Sequence, residues 1–129
     1  MRIVRKNEVR LEPASHEDSR RPGVWKRVLF PRELLPEGRA QMLNWAELPG
    51  GSSFAPHYHE DMDEIFVIVQ GSAEMRVGKD SITLAQGDAV LVACREIHSM
   101  TNRTNEKVEY LVIGLTRDQG GRTICVERE

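Results

Sequence analysis

The 129-residue sequence predicts an all-β fold with little helix, a sandwich or barrel of short strands. Two observations carry this reading. Runs of four to eight apolar, β-branched or aromatic residues recur along the chain, and clusters of Gly, Pro, Asn and Asp separate them. No apolar spacing sustains a helical period, and no internal repeat stands out. A chain of this length fits one domain with a real core.

Residues 1–24 read as an N-terminal arm, polar and broken by Pro13 and Pro22, with Ile3-Val4 and Val9–Leu11 as short edge strands. The barrel is expected over 25–129. Its first strand is Trp25–Phe30, followed by a proline-bounded loop, residues 31–39, with at most one helical turn. Gln41–Leu48 is the next strand, ended by Pro49-Gly50-Gly51. Glu64–Val69 closes on Gln70-Gly71, and Ala73–Val77 meets Gly78-Lys79-Asp80, a hairpin signal. Ser81–Leu84, Ala89–Ala93, Ile97–Thr101 and Val108–Leu115 follow, with Ile124–Val126 as a terminal edge strand.

Charge is nearly balanced at −2 but unevenly placed. Residues 1–32 carry nine Lys/Arg against four Asp/Glu, a local +5, and the remainder carries nine against sixteen, a local −7. No aromatic platform or helix-turn-helix accompanies the basic start, so no nucleic-acid partner is expected. The arm suits packing on the acidic body of a second subunit, and a homodimer is expected. No apolar run follows the charged N-terminus, and none reaches the roughly 20 residues of a membrane helix. Cys94 and Cys125 are two and far apart, which fits reduced thiols and a cytoplasmic location.

The chemistry concentrates in His57, His59, Glu64 and His98, which include three of the four histidines in the chain. Residues two apart in a strand share a face, so His57 and His59 can aim two imidazoles at one point. Three imidazoles and a carboxylate suit a divalent transition metal: Mn, Fe, Ni, Co or Zn. Gly51 lies six residues before His57, Gly71 seven after Glu64, Gly87 eleven before His98 and Asn102 four after it.

This pattern resembles the cupin family at both of its motifs. The first, G-x5-H-x-H-x4-E-x6-G, is met in full by Gly51, His57, His59, Glu64 and Gly71. The second, G-x5-P-x-G-x2-H-x3-N, is met at Gly87, His98 and Asn102, with Ala93 in place of proline and Arg95 in place of glycine. Ser72–Gln86 separates the motifs, as in short single-domain cupins. The resemblance implies a double-stranded β-helix, or jelly roll, with His57, His59, Glu64 and His98 as ligands of one metal ion.

The resemblance leaves two functions open. One is a metalloenzyme of dioxygenase, decarboxylase or isomerase type, holding a carboxylate, diol or keto-enol at an open metal face. The other is a non-catalytic module that binds or senses a sugar or organic acid. Three residues are candidates beyond the ligands. Arg95 is either a solvated loop charge or a carboxylate clamp. Tyr110 is a hydroxyl near the metal if its strand turns that way, and Glu47 is an acid/base group if its face is inward. Glu60, Asp61 and Asp63 read as an acidic rim. Phe66 and Ile68 share the face of Glu64, and the remaining wall is expected to be mostly apolar, as suits a small organic ligand.

Overall fold

The structure, a computed structural model, describes residues 1–117 and 122–126. Eleven strands are formed among them: β1 (Glu12–Pro13), β2 (Trp25–Phe30), β3 (Ala40–Leu48), β4 (His57–His59), β5 (Met62–Gln70), β6 (Ala73–Val77), β7 (Asp80–Leu84), β8 (Ala89–Val92), β9 (His98–Thr101), β10 (Val108–Thr116) and β11 (Thr123–Cys125). Helix is confined to two single 3-10 turns, Lys6–Glu8 and Arg32–Leu34, the second inside the expected proline-bounded loop.

The strands form two antiparallel sheets, six-stranded in the order β1-β2-β3-β10-β5-β8 and five-stranded in the order β11-β4-β9-β6-β7. Period-two alternation sets their facing sides. In β5 the buried residues are Met62, Glu64, Phe66 and Ile68, while Asp63, Ile65, Val67 and Val69 look outward. The core between the sheets includes Leu48, Phe54, Ile68, Met75, Met100 and Val108, each essentially without solvent contact. β10 is apolar on both faces, and its pairing settles its orientation: Tyr110 lies opposite Ala46 and Ile68, facing inward with them. A Cβ at Gly114 on the same strand would meet the sulfurs of Met42 and Met62 at 2.5 and 2.7 Å, so any larger residue there must push these two flexible side chains aside.

Turns follow the sequence signals. Gly78-Lys79 makes the two-residue turn between β6 and β7, with Val77 opposite Asp80. Gly71 adopts φ +88°, a left-handed angle that glycine takes at no steric cost. Arg95 adopts φ +69°, so the turn before His98 keeps a left-handed residue where the resemblance expects glycine. An arginine pays about 1–2 kcal/mol for that conformation.

The N-terminal edge strands expected at Ile3-Val4 and Val9–Leu11 do not form; the edge strand is the pair Glu12–Pro13 instead. Residues 12–24 pack on the barrel of their own chain. Ala14 and Val24 enter its core, and the Ala14 N–H donates to the Val24 carbonyl at 3.2 Å.

Candidate metal centre

The two motifs converge across the barrel. β4 carries His57 and His59 on its inner face with Tyr58 outward, and His98 on β9 sits in register with His57. Glu64 comes from β5 in the opposite sheet. All four side chains are buried, with exposures of 2, 6, 6 and 1% for His57, His59, Glu64 and His98. Each offers one ligand atom within 4.8 Å of the others, an arrangement able to hold a metal ion.

The outer nitrogens of the rings are held from behind. His57 Nδ1 donates to the Ala55 carbonyl at 2.7 Å and His98 Nδ1 to the Glu96 carbonyl at 2.9 Å. A carbonyl only accepts, so each Nδ1 carries hydrogen and each neutral ring presents an Nε2 lone pair inward. His59 Nδ1 meets the Thr123 hydroxyl of β11 at 3.0 Å. Inside, a single oxygen of Glu64, Oε1, lies 2.7 Å from His59 Nε2 and 3.1 Å from His98 Nε2. At His98, whose Nδ1 hydrogen is committed to a carbonyl, a neutral ring would set a lone pair against the Glu64 oxygen, acceptor against acceptor. A proton or a cation between them resolves it, and the donor set fits a transition metal ion.

The local electrostatics agree. Burial lowers the His57 pKa to about 3, helped by the neighbouring His16 and His98, so this ring is neutral at neutral pH. Burial pushes the Glu64 carboxyl up, but hydrogen bonds from His59 and His98, which need a proton on their Nε2 atoms, and the charge of those rings outweigh it and hold it well below the ordinary carboxylate range. Glu64 is thus an anion and His57 a free lone pair, the states in which both ligate metal.

A family model described as "Cupin domain" matches residues 44–114, which contain His57, His59, Glu64 and His98. The chain belongs to the cupin family. Among its relatives, an oxalate-binding protein of Thermotoga maritima is 27% identical over 111 residues, covering 86% of this chain and 91% of that protein. A crystal structure of a predicted oxalate decarboxylase from Thermotoga maritima superposes with a TM-score of 0.80 at 26% identity, over 90% of this chain and 100% of that one. The polyketide cyclase RemF of Streptomyces resistomycificus shares the fold at 19% identity, with a TM-score of 0.78 over 98% of this chain and 87% of that one.

In this cupin a cavity of about 340 Å³ opens beside His57, His59 and Glu64. Its wall is more mixed than the mostly apolar one expected: Phe66, Met42 and Val112 stand beside polar residues such as Asn44, Glu33 and Thr123. Tyr110 lines it too. Burial raises the Tyr110 pKa far above its ordinary value, with the charges of Glu64 and Glu17 adding to the effect, so the hydroxyl stays protonated as a donor. Lys26 and Arg32 also border the cavity.

The other sequence candidates sit elsewhere. Glu47 is buried but is no acid/base group of the cavity. In β3 the even-numbered Met42, Asn44 and Ala46 line the cavity, which turns Trp45 and Glu47 to the outer face of the sheet. There Glu47 pairs with Arg27, and its Oε1 accepts from Lys107 Nζ at 2.8 Å. Arg95 is exposed and lies outside the cavity lining, its N–H donating to the His59 carbonyl at 2.7 Å. The expected acidic rim is a set of ties. Asp63 accepts the Cys94 N–H at 2.9 Å and pairs with Arg117 at 3.0 Å, and Asp61 is buried. Asn102 is scaffold: its amide holds the carbonyls of Leu48 and Glu106 and accepts from Thr104.

Sequence reasoning missed His16, Asn44 and Thr123, all of which line the cavity. His16 stacks on the His57 ring, with centroids 4.0 Å apart and planes at 22°. It lies 41 positions before His57 in a segment read as an arm, and its only signal was histidine rarity. Thr123 was one position outside the predicted terminal strand, and only the β11–β4 register, Thr123 opposite His59, brings it to the site.

Proposed function

We propose that this cupin binds one divalent transition metal ion through His57, His59, Glu64 and His98 and uses the adjoining cavity to hold a small carboxylate ligand. The observation that carries the reading is the single Glu64 oxygen set against two imidazole nitrogens inside a buried ring of four donors. A bound ion supplies Lewis-acid stabilisation of negative charge on the ligand, the chemistry shared by decarboxylase, oxygenase and isomerase types. The chain's own residues do the rest. Lys26 and Arg32, partly offset by Glu33, favour an anion at the cavity border, Phe66, Met42 and Val112 give the ligand apolar contact, and the Tyr110 hydroxyl offers a hydrogen bond to an oxygen of the ligand. The 27%-identical relative named an oxalate-binding protein supports a carboxylate as the ligand class.

The test is calorimetric titration of oxalate into the protein with and without stoichiometric Mn, Fe, Ni, Co or Zn. Saturable binding only in the loaded protein is expected. Equal binding in its absence removes the metal from the function.

The outward residues Ile65, Val67, Leu111 and Ile113 form an apolar strip on neighbouring strands, continued by Leu91, which is 60% exposed. Such a strip favours a homodimer through this face. Light scattering should give about twice the 14.7 kDa chain mass, and a mass near 14.7 kDa counts against it.

A further inference from the structure

His16 lies outside the four-residue cluster, yet the fold builds a mount for it. The neighbouring Glu17 side chain is almost fully buried, with its two oxygens tied down separately. Oε1 accepts the Gly23 N–H at 2.6 Å, and Oε2 accepts the Ala55 N–H at 2.8 Å. Glu17 thereby fastens the 14–24 segment to the strand entry that precedes His57. Gly23 allows this closeness, since a Cβ there would run into the Ser53 carbonyl at 1.9 Å.

On this mount the His16 ring is clamped between the flat face of His57 and the edge of Phe54, whose centroid is 5.4 Å away. Its Nε2 is buried, makes no hydrogen bond and faces Glu17 Oε2 at 3.7 Å. A carboxylate favours the hydrogen on the nitrogen nearest it. Nδ1 is then the lone-pair side of the ring. It has no partner among the described residues and is not one of the buried unpartnered atoms, so it is the nitrogen left accessible. The same cavity is lined by Asn44, which is 9% exposed and whose side-chain amide makes no hydrogen bond among the described residues. Lys26 and Arg32 add positive charge, which Glu33 on the same border partly offsets.

We propose that His16 is a ligand-contacting residue whose Nδ1 accepts a hydrogen bond from a hydroxyl of the bound molecule, so that the cavity selects hydroxy-carboxylates over simple carboxylates. This rests on the metal-and-carboxylate reading above and adds to it the ligand class. The carboxylate meets the cluster and the basic side chains, and the hydroxyl meets His16. A purely structural histidine, stacked only to support His57, would affect every ligand alike.

The experiment uses the full chain loaded with one divalent ion and two probes, glycolate and oxalate. Glycolate carries one hydroxyl beside its carboxylate, and oxalate at neutral pH has no proton to donate. His16→Phe keeps an aromatic face against His57 and removes Nδ1. His16→Asn places an amide oxygen near the position of Nδ1 and serves as the conservative variant. In His16→Phe the glycolate Kd is expected to rise about tenfold, the size of one lost hydrogen bond, with oxalate within about twofold of wild type. His16→Asn should recover most of the glycolate affinity, and the metal content of all three proteins should match. An unchanged glycolate Kd in His16→Phe, equal weakening of both probes, or wild type that takes no glycolate overturns the proposal. Failure of the metal reading appears earlier and separately, as wild type that takes up no ion before any probe is added.

Discussion

Two glutamates on the two faces of one sheet are equally buried and keep different company. Glu47 on β3 and Glu64 on β5 are each 6% exposed. Glu47 lies on the outer face, directly opposite Glu109 of β10, a like-charge pairing that by itself destabilises a sheet. Cations resolve it: Arg27 pairs with Glu47, Lys107 reaches both carboxylates, and Lys6 reaches Glu109 at 3.6 Å. Glu64, on the inner face, has no Lys or Arg partner among the described residues, only His59 and His98. A buried carboxylate with its own cations is architecture. One surrounded by imidazoles whose outer nitrogens are already committed is a place for a cation from outside.

The contrast breaks most sharply at Glu64 itself. Glu64→Gln should weaken metal binding at least about 100-fold, read by competition with a chelating dye. In the metal-free protein it should lower the melting temperature only modestly, since the charge that the fold stabilises is lost while the amide oxygen can still accept from His59 and His98. A metal-free Glu64→Gln protein whose melting temperature falls as far as that of Glu47→Ala would make Glu64 architectural after all. Glu47→Ala should do the reverse. It strands Arg27 and should cost about 3 kcal/mol, or roughly 10 °C in Tm, while metal stoichiometry stays at the wild-type value.

The inner face should also give the fold its acid sensitivity. Burial, with charge from neighbouring groups, lowers His16 to about 4 and His57 to about 3, from an ordinary 6.5. The unfolded chain therefore takes up these protons first. The stabilisation is complete above pH 6.5 and is lost as pH falls toward 4 and then 3. The metal-free protein should lose roughly 2 kcal/mol per pH unit from the pair between about pH 6 and 4.5. Denaturant melts at several pH values read this slope, which His16→Phe should reduce and Glu47→Ala should leave alone. A slope unchanged in His16→Phe would place the sensitivity elsewhere.

The smallest effect is a control that touches neither glutamate. Arg95→Gly relieves the φ +69° arginine in the loop before His98 and should raise stability by about 1 kcal/mol in thermal melts, with metal content unchanged. A loss of stability would mean the arginine side chain holds the loop.

The strands and the four-residue cluster were legible because both are written locally. Ala73–Val77 and Trp25–Phe30 have the predicted bounds, and the H-x-H spacing already placed two rings on one face. What stayed hidden depends on pairing between distant segments. β10 is apolar on both faces, so only its register with β3 and β5 could turn Tyr110 inward. The strand period alone could not say whether Glu47 faced inward or outward. That was decided by Met42, Asn44 and Ala46 facing the cavity. His16 reaches the site only because Glu17 bonds to Ala55, 38 residues away, and no local pattern announces such a tie.

The central claim is that the ring around Glu64 exists to hold a metal ion. The most direct test is metal content by mass spectrometry on untagged wild-type protein beside a His57→Ala/His59→Ala double variant. One divalent ion per chain in the wild type, absent from a folded double variant, is the predicted result. A folded wild type that takes up no metal, or a double variant that retains it, contradicts the account.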